Sequence, residues 1–265
     1  MNTPAEIAKN YEKIAVLKGK LPFCKMLLLA VMAGAFIALA GVGSTVASAR
    51  IGNESAARLV SACVFPTGLA MVLISGSELF TGNSLMVLSV LQQKISVGAM
   101  LRNWGVVYIG NLIGAVLVAA LTVYGHTPDL YGGALAESMV RAAQTKAAVG
   151  LGDALIRGVL CNFLVCIAVW MSFAAETVSG RILGLFFPIL LFVLCGFEHC
   201  VANLYYLPAG LMAAAEYGIA ADGLTVGTAL LHNLIPVTIG NVLGGTAVGT
   251  VYWAVYRKGM DEKTA

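Results

Sequence analysis

Two apolar stretches of this 265-residue chain are longer than one straight bilayer crossing requires, and both are interrupted midway by the same pattern. The first reads FPTGLAMVLISGSELFTGN at 65–83 and the second FPILLFVLCGFEHCVAN at 187–203. Each opens on Phe-Pro and closes on G-x-E-x4-N, which puts Gly76, Glu78 and Asn83 in register with Gly196, Glu198 and Asn203. A second pattern, N-x6-GN-x2-G, recurs at Asn103, Gly110, Asn111, Gly114 and at Asn233, Gly240, Asn241, Gly244. The chain is therefore expected to be two copies of one unit, a common construction among transporters and channels.

The unit is a membrane unit. Hydrophobic residues make up 59% of the chain and charged residues only 11%, well under the ~25% charged typical of a soluble domain. The apolar runs fall at 25–49, 57–91, 104–125, 150–175, 182–215 and 224–256. They predict an all-α membrane protein of six transmembrane helices, three per copy. Three crossings are an odd number, so the second copy sits upside down in a 3+3 inverted repeat. Spans 2 and 5 are predicted to be broken. A break frees backbone groups that lipid cannot satisfy, so such breaks survive only where they line a cavity or are buried in protein. The predicted divisions are a cytoplasmic amphipathic helix at 1–24, a channel domain at 25–257 and a cytoplasmic tail at 258–265.

A formal charge of +3 is too small to suggest nucleic acid, and its placement is more informative. With a cytoplasmic N-terminus, 11 of the 16 basic residues face the cytoplasm: Lys9, Lys13, Lys18, Lys20, Lys25, Lys94, Arg102, Arg181, Arg257, Lys258 and Lys263. Arg50, Arg58, Arg141, Lys146 and Arg157 are left outside. This bias predicts both termini in the cytoplasm. Ile7, Tyr11, Ile14 and Leu17 at helical spacing predict an interfacial helix with its lysines on the other side. The six cysteines show no CxxC spacing and are read as small buried hydrophobes.

His199 lies in the middle of the fifth span, where an ionisable side chain is costly and marks a candidate site. Thr81, in the other broken span, is its expected partner across the repeat. Glu78 and Glu198 would repel an anion from a path between the copies, so they are read as acceptors for backbone amides at the breaks. Lys146 is expected to attract anions from the outer connector. Asn162 and Asn241 are amides able to orient the breaks or contact the path. Phe65, Leu69, Leu79, Phe80, Phe192 and Ala202 are expected above and below His199 as hydrophobic constrictions.

The segments FPTGLAMVLISGSELFTGN, CNFLVCIAVWMS, GFEHCVANLYYLPAG and NLIPVTIGNVLGG resemble the signature segments of the formate/nitrite transporter family. The resemblance implies a homopentamer of aquaporin-like protomers, each with its own pore for a small anion such as formate, nitrite or hydrosulfide. It also implies that Thr81, His199 and Asn241 form the central site, that the six apolar residues just named are constrictions, and that Lys146 is the vestibule lysine. LFTG at 79–82 is most similar to the hydrosulfide-channel branch, since formate-branch members carry LFTS there. A passive anion channel is the favoured reading, with a proton-coupled symporter of the same fold as its alternative. No cofactor is expected: CxxCH is absent and Glu198-His199 is not HExxH, which argues against a haem enzyme and a metalloprotease.

Overall fold

The computed structural model describes residues 1–258, and those residues contain helices and no strands. Of the tail expected at 258–265, all but Lys258 lies outside the described residues. In chain order the helices are α1 (Pro4–Gly19), α2 (Phe23–Ser48), α3 (Glu54–Val64), α4 (Pro66–Ser75), α5 (Val87–Leu91), α6 (Val97–Tyr124), α7 (Ala134–Ala147), α8 (Leu151–Ala174), α9 (Val178–Leu194), α10 (Cys200–Tyr217), α11 (Val226–Thr228) and α12 (Ile235–Tyr256). A π-helical stretch, Ala229–Leu234, joins α11 to α12.

Among the described residues, five segments are long and apolar enough to cross a bilayer: Phe23–Ser48, Glu54–Ser75, Val97–Tyr124, Leu151–Ala174 and Val226–Tyr256. The fifth span, 182–215, expected to be broken, is divided between α9 and α10. Both expected interruptions are present. α4 stops at Gly76, whose φ of +79° is the left-handed conformation glycine adopts without a Cβ clash, and regular structure resumes only in the 3₁₀ turn Gly82–Met86. α9 ends at Leu194, with Cys195 as its C-cap, and is followed by Gly196 with φ +69°, before α10 starts at Cys200.

Close packing places these breaks. α2 lies against α6 and α8 against α12. A Cβ at Gly114 would collide with the Val31 carbonyl, and one at the repeat-equivalent Gly244 with the Val159 carbonyl. Small residues let helices approach at backbone distance where lipid gives no hydrophobic drive for association. The same crossing in each half brings Asn111 and Asn241 to the two breaks.

One helix was not foreseen, and two expectations are corrected. The connector before span 4 contains a helix of 14 residues, α7, which packs on α10. α1 docks on protein: Ile7, Ala8, Tyr11 and Ala15 are buried, and the Tyr11 hydroxyl donates to the Gly82 carbonyl at 3.1 Å. Lys18 is seven residues after Tyr11 and so shares its face, not the opposite one. Of the cysteines, only Cys161, Cys166 and Cys200 are buried, while Cys24, Cys63 and Cys195 are exposed on the chain surface.

Candidate functional site

The broken helices bring Thr81 and His199 together. His199 is the N-cap of α10, and its Nδ1 accepts from the Ala202 backbone N–H at 3.0 Å. A nitrogen that accepts carries no hydrogen, so in this arrangement the ring proton is on Nε2. Nε2 lies 2.9 Å from Thr81 Oγ1, and the hydroxyl oxygen is therefore its acceptor. Thr81 is wholly buried and His199 is 3% exposed.

Two cavities approach this contact, and their linings share no residue. One, of about 740 Å³, is lined by Phe65, Phe192, Ala202, Lys146, Glu198 and His199 among others. The other, of about 420 Å³, is lined by Leu69, Leu79, Gly82, Lys18, Glu78 and the inner face of α1. Phe65 and Phe192 meet edge to face with ring centroids 5.7 Å apart, and the His199 ring stacks on Phe192 at 5.8 Å. Leu69 and Leu79 are each 3% exposed on the opposite side. Phe80 stands apart from both groups, packed edge-on against Tyr108 and Trp104.

Each break is held by an asparagine on a neighbouring helix. Asn241 Oδ1 accepts from Cys200 N at 2.9 Å, and its Nδ2 donates to the carbonyls of Gly158 at 2.8 Å and Glu198 at 2.9 Å. Asn111 repeats the arrangement with Phe80 N at 3.0 Å, Ala30 O at 2.8 Å and Glu78 O at 3.0 Å. Asn241 thus spends its amide on the backbone on either side of His199 and does not face the Thr81 contact. Asn162 reaches that contact from behind, donating to the carbonyls of Thr81 at 3.2 Å and Asn241 at 2.6 Å.

The glutamates do not accept from backbone amides, as the sequence had suggested; they accept from side chains. Glu198 takes Lys146 Nζ at 3.1 Å and Asn203 Nδ2 at 2.6 Å, and Asn203 also donates to Asn233. Glu78 takes Lys18 Nζ at 2.6 Å and Asn83 Nδ2 at 2.8 Å, and Asn83 also donates to Asn103. Near-buried carboxylates persist because each is paired and hydrogen-bonded. Lys146 is correspondingly not a solvated loop lysine: its side chain is 19% exposed and lies 5.3 Å from the centre of the Tyr206 ring.

Lys18 is the functional candidate the sequence reading missed. Its signal was available in the duplication, because Glu198 has Lys146 and Glu78 demanded an equivalent cation. The two networks lie far apart in composition otherwise: Thr81 aligns with Val201, and His199 with Leu79. The repeat therefore builds the frame twice and the polar contact once.

Apolar helices long enough to cross lipid, a frame of paired charges around two helix breaks, and cavities approaching one buried hydroxyl–imidazole contact from either side define an integral membrane protein of the transporter and channel class. The comparisons with known proteins give the class a family. A model of the formate/nitrite transporter family matches residues 5–254, and the chain belongs to that family. It is 41% identical to the uncharacterized transporter YrhG of Bacillus subtilis over 96% of this chain and 94% of that one. It is 39% identical to a probable formate transporter of Methanothermobacter thermautotrophicus, with 97% of each covered. Among solved structures, a pentameric formate channel with formate bound superposes with TM-score 0.79 at 34% identity, covering 89% of this chain and 98% of that one.

Proposed function

We propose that the chain is a passive channel for small monovalent anions in the bacterial inner membrane. In this reading both termini are cytoplasmic, six spans form a 3+3 inverted repeat of aquaporin type, and five copies assemble with one path in each. The observation that carries the proposal is the buried Thr81–His199 hydrogen bond at the meeting of two otherwise separate cavities. The formate channel that the chain resembles is itself pentameric and binds formate.

The mechanism follows from hydration. An anion leaving either cavity must shed water to pass Phe65 and Phe192 on one side, or Leu69 and Leu79 on the other, and apolar side chains return none of that energy. At the midpoint the His199 Nε2–H and the Thr81 O–H are the two donors within reach. Because Thr81 Oγ1 already accepts from His199, its own hydrogen is available to an arriving anion. The Thr81 hydrogen, joined by the Nε2–H once the anion replaces Thr81 as its acceptor, offsets part of the hydration cost without holding the ion as a fixed charge would, and weak binding is what conduction requires. Protonating Nδ1 would set its hydrogen against the Ala202 N–H and uncap α10, which favours conduction over obligatory proton carriage.

Hydrosulfide is the favoured anion because Gly82 leaves open the space a serine hydroxymethyl would occupy; formate and nitrite remain within the size class. Purified protein in liposomes, supplied in turn with hydrosulfide, formate, nitrite and chloride, tests the reading. A channel gives net current for its anion at fixed voltage. A strictly proton-coupled symporter of a monoanion moves no net charge, and zero current accompanying anion uptake would replace the channel with that carrier.

A further inference from the structure

Five basic residues fall on the side where the positive-inside bias leaves few. Four of them, Arg58, Arg141, Lys146 and Arg157, line one cavity: the funnel of about 740 Å³ that ends at His199. They come from three helices, α3, α7 and α8. Glu198 is the one carboxylate in the same lining and is committed to Lys146. A side recess of about 600 Å³ shares Arg58 and Arg141 and adds one carboxylate, Glu54.

The three arginines are uncommitted. Glu54, Glu137 and Asp153 each precede one of them by four residues, the spacing and order that favour a helical ion pair. Yet among the described residues none of Arg58, Arg141 and Arg157 has an ion pair within 4.0 Å or a side-chain hydrogen bond. Arg58 is held in place by the break itself. Its Nη1 lies 2.7 Å from where a Cβ on Gly196 would stand, so the missing side chain at Gly196 makes room for the guanidinium over the interrupted helix. The repeat-equivalent Gly76 has nothing within 4 Å of that position. The frame is duplicated, but the arginine funnel is not.

We propose that this funnel is a binding site for a divalent tetrahedral oxyanion, seated on Arg58, Arg141 and Arg157, that occludes the path from the Lys146 side. Guanidinium forks match the paired oxygens of such an anion, and three of them around one concavity suit a charge of −2 better than a single small monoanion. Thr45, Ser48 and Ser61 add hydroxyls to the wall. The dianion does not pass: electrostatic desolvation grows with the square of the charge, and Phe65 and Phe192 close the funnel below it. The occlusion rests on the proposed conduction route, whereas the binding does not.

The test uses the full chain and sulfate as probe. In calorimetry of the detergent-solubilised oligomer at fixed ionic strength, sulfate is expected to bind saturably. Each of Arg58→Gln, Arg141→Gln and Arg157→Gln should weaken it about tenfold, the loss typical of one charge-assisted bond pair. In liposomes, sulfate on the Lys146 side should reduce formate flux, scored against each variant's own sulfate-free rate, and sulfate on the other side should not. Three Arg→Lys replacements, which keep the charge and are the milder change should the Gln variants fail to assemble, should still weaken binding. Equal effects of chloride at matched ionic strength would reduce the site to charge screening and overturn it, as would sulfate binding unchanged in the triple Gln or triple Lys variant. Saturable arginine-dependent binding in protein that passes no formate would leave the site standing and count against the conduction route.

Discussion

Asn241→Ala removes the one side chain that closes the backbone on both sides of His199. Three bonds are lost at once: from the Cys200 N–H, and to the carbonyls of Gly158 and Glu198. The Cys200 N–H and the Glu198 carbonyl lie at the helix break inside the protein, where lipid offers no replacement, whereas the Gly158 carbonyl belongs to the continuous helix α8. Hydrogen bonds in membrane helices average ~0.6 kcal/mol by double-mutant cycles, which sets a lower bound of about 2 kcal/mol for three. Leaving the two break groups buried and unpaired costs ~1–3 kcal/mol each, an upper bound of about 6 kcal/mol. Either figure is a large fraction of the ~5–15 kcal/mol that keeps a typical protein folded. Asn241→Asp should be no better, since a carboxylate still accepts from Cys200 but opposes two carbonyl oxygens. Thermal unfolding of the purified oligomer in detergent, followed by size-exclusion chromatography, should show a loss of at least about 2 kcal/mol in both variants, with flux per folded oligomer falling in parallel. A change below about 1 kcal/mol in Asn241→Ala, with wild-type flux, would refute the idea that this amide holds the break.

Replacing one partner of the Lys146–Glu198 pair, as in Lys146→Met, strands a nearly buried carboxylate; about 3–5 kcal/mol should be lost in denaturant unfolding, and the double variant Lys146→Met/Glu198→Gln should recover part of it. Leu79→Ala should raise conductance and admit larger anions, read from single-channel currents, by widening the neck on the Lys18 side. Thr81→Ala should loosen discrimination among anions while leaving the oligomer intact, as measured by relative liposome fluxes. The Glu6 carboxyl, bonded by the Thr3 backbone N–H and hydroxyl, is held below its ordinary 4.5. Its contribution to α1 is therefore complete above that value and lost as pH falls through the lower, folded one, and amide exchange in residues 4–8 should accelerate only there.

How much of this was legible in the chain depended on what the duplication could report. G-x-E-x4-N located both breaks and the glycines that end α4 and α9, because a pattern repeated inside an apolar run has few causes other than a shared interruption. The roles within the pattern were less accessible. Glu78 and Glu198 looked like caps for amides, but a carboxylate in the membrane needs a cation, and Lys18 and Lys146 come from helices 60 and 52 residues away. Asn241 was placed in the central site by resemblance alone; only the fold shows that the backbone consumes its amide bonds. Phe80 was placed among the constrictions by resemblance, yet it packs against Tyr108 and Trp104, because consecutive residues at a break point in different directions. α7 went unseen because its apolar face, Leu135, Met139, Val140 and Ala143, is too short a run to stand out beside the spans. Arg58, Arg141 and Arg157 are scattered over three helices, and no spacing announces that they meet.

The central claim is that an anion crosses by way of the donors at Thr81 and His199. His199→Phe removes both the Nε2–H and the cap on α10, whereas His199→Asn keeps an α10 cap with a side chain too short to reach Thr81. The decisive measurement is anion flux into liposomes containing each variant, purified as an oligomer that elutes like the wild type, at several pH values. The account predicts that flux is abolished or strongly reduced in both variants, with the capped Asn form unfolding closer to wild type. Flux through either folded variant at the wild-type rate and with the wild-type pH dependence would contradict it, and would leave His199 as a helix cap alone.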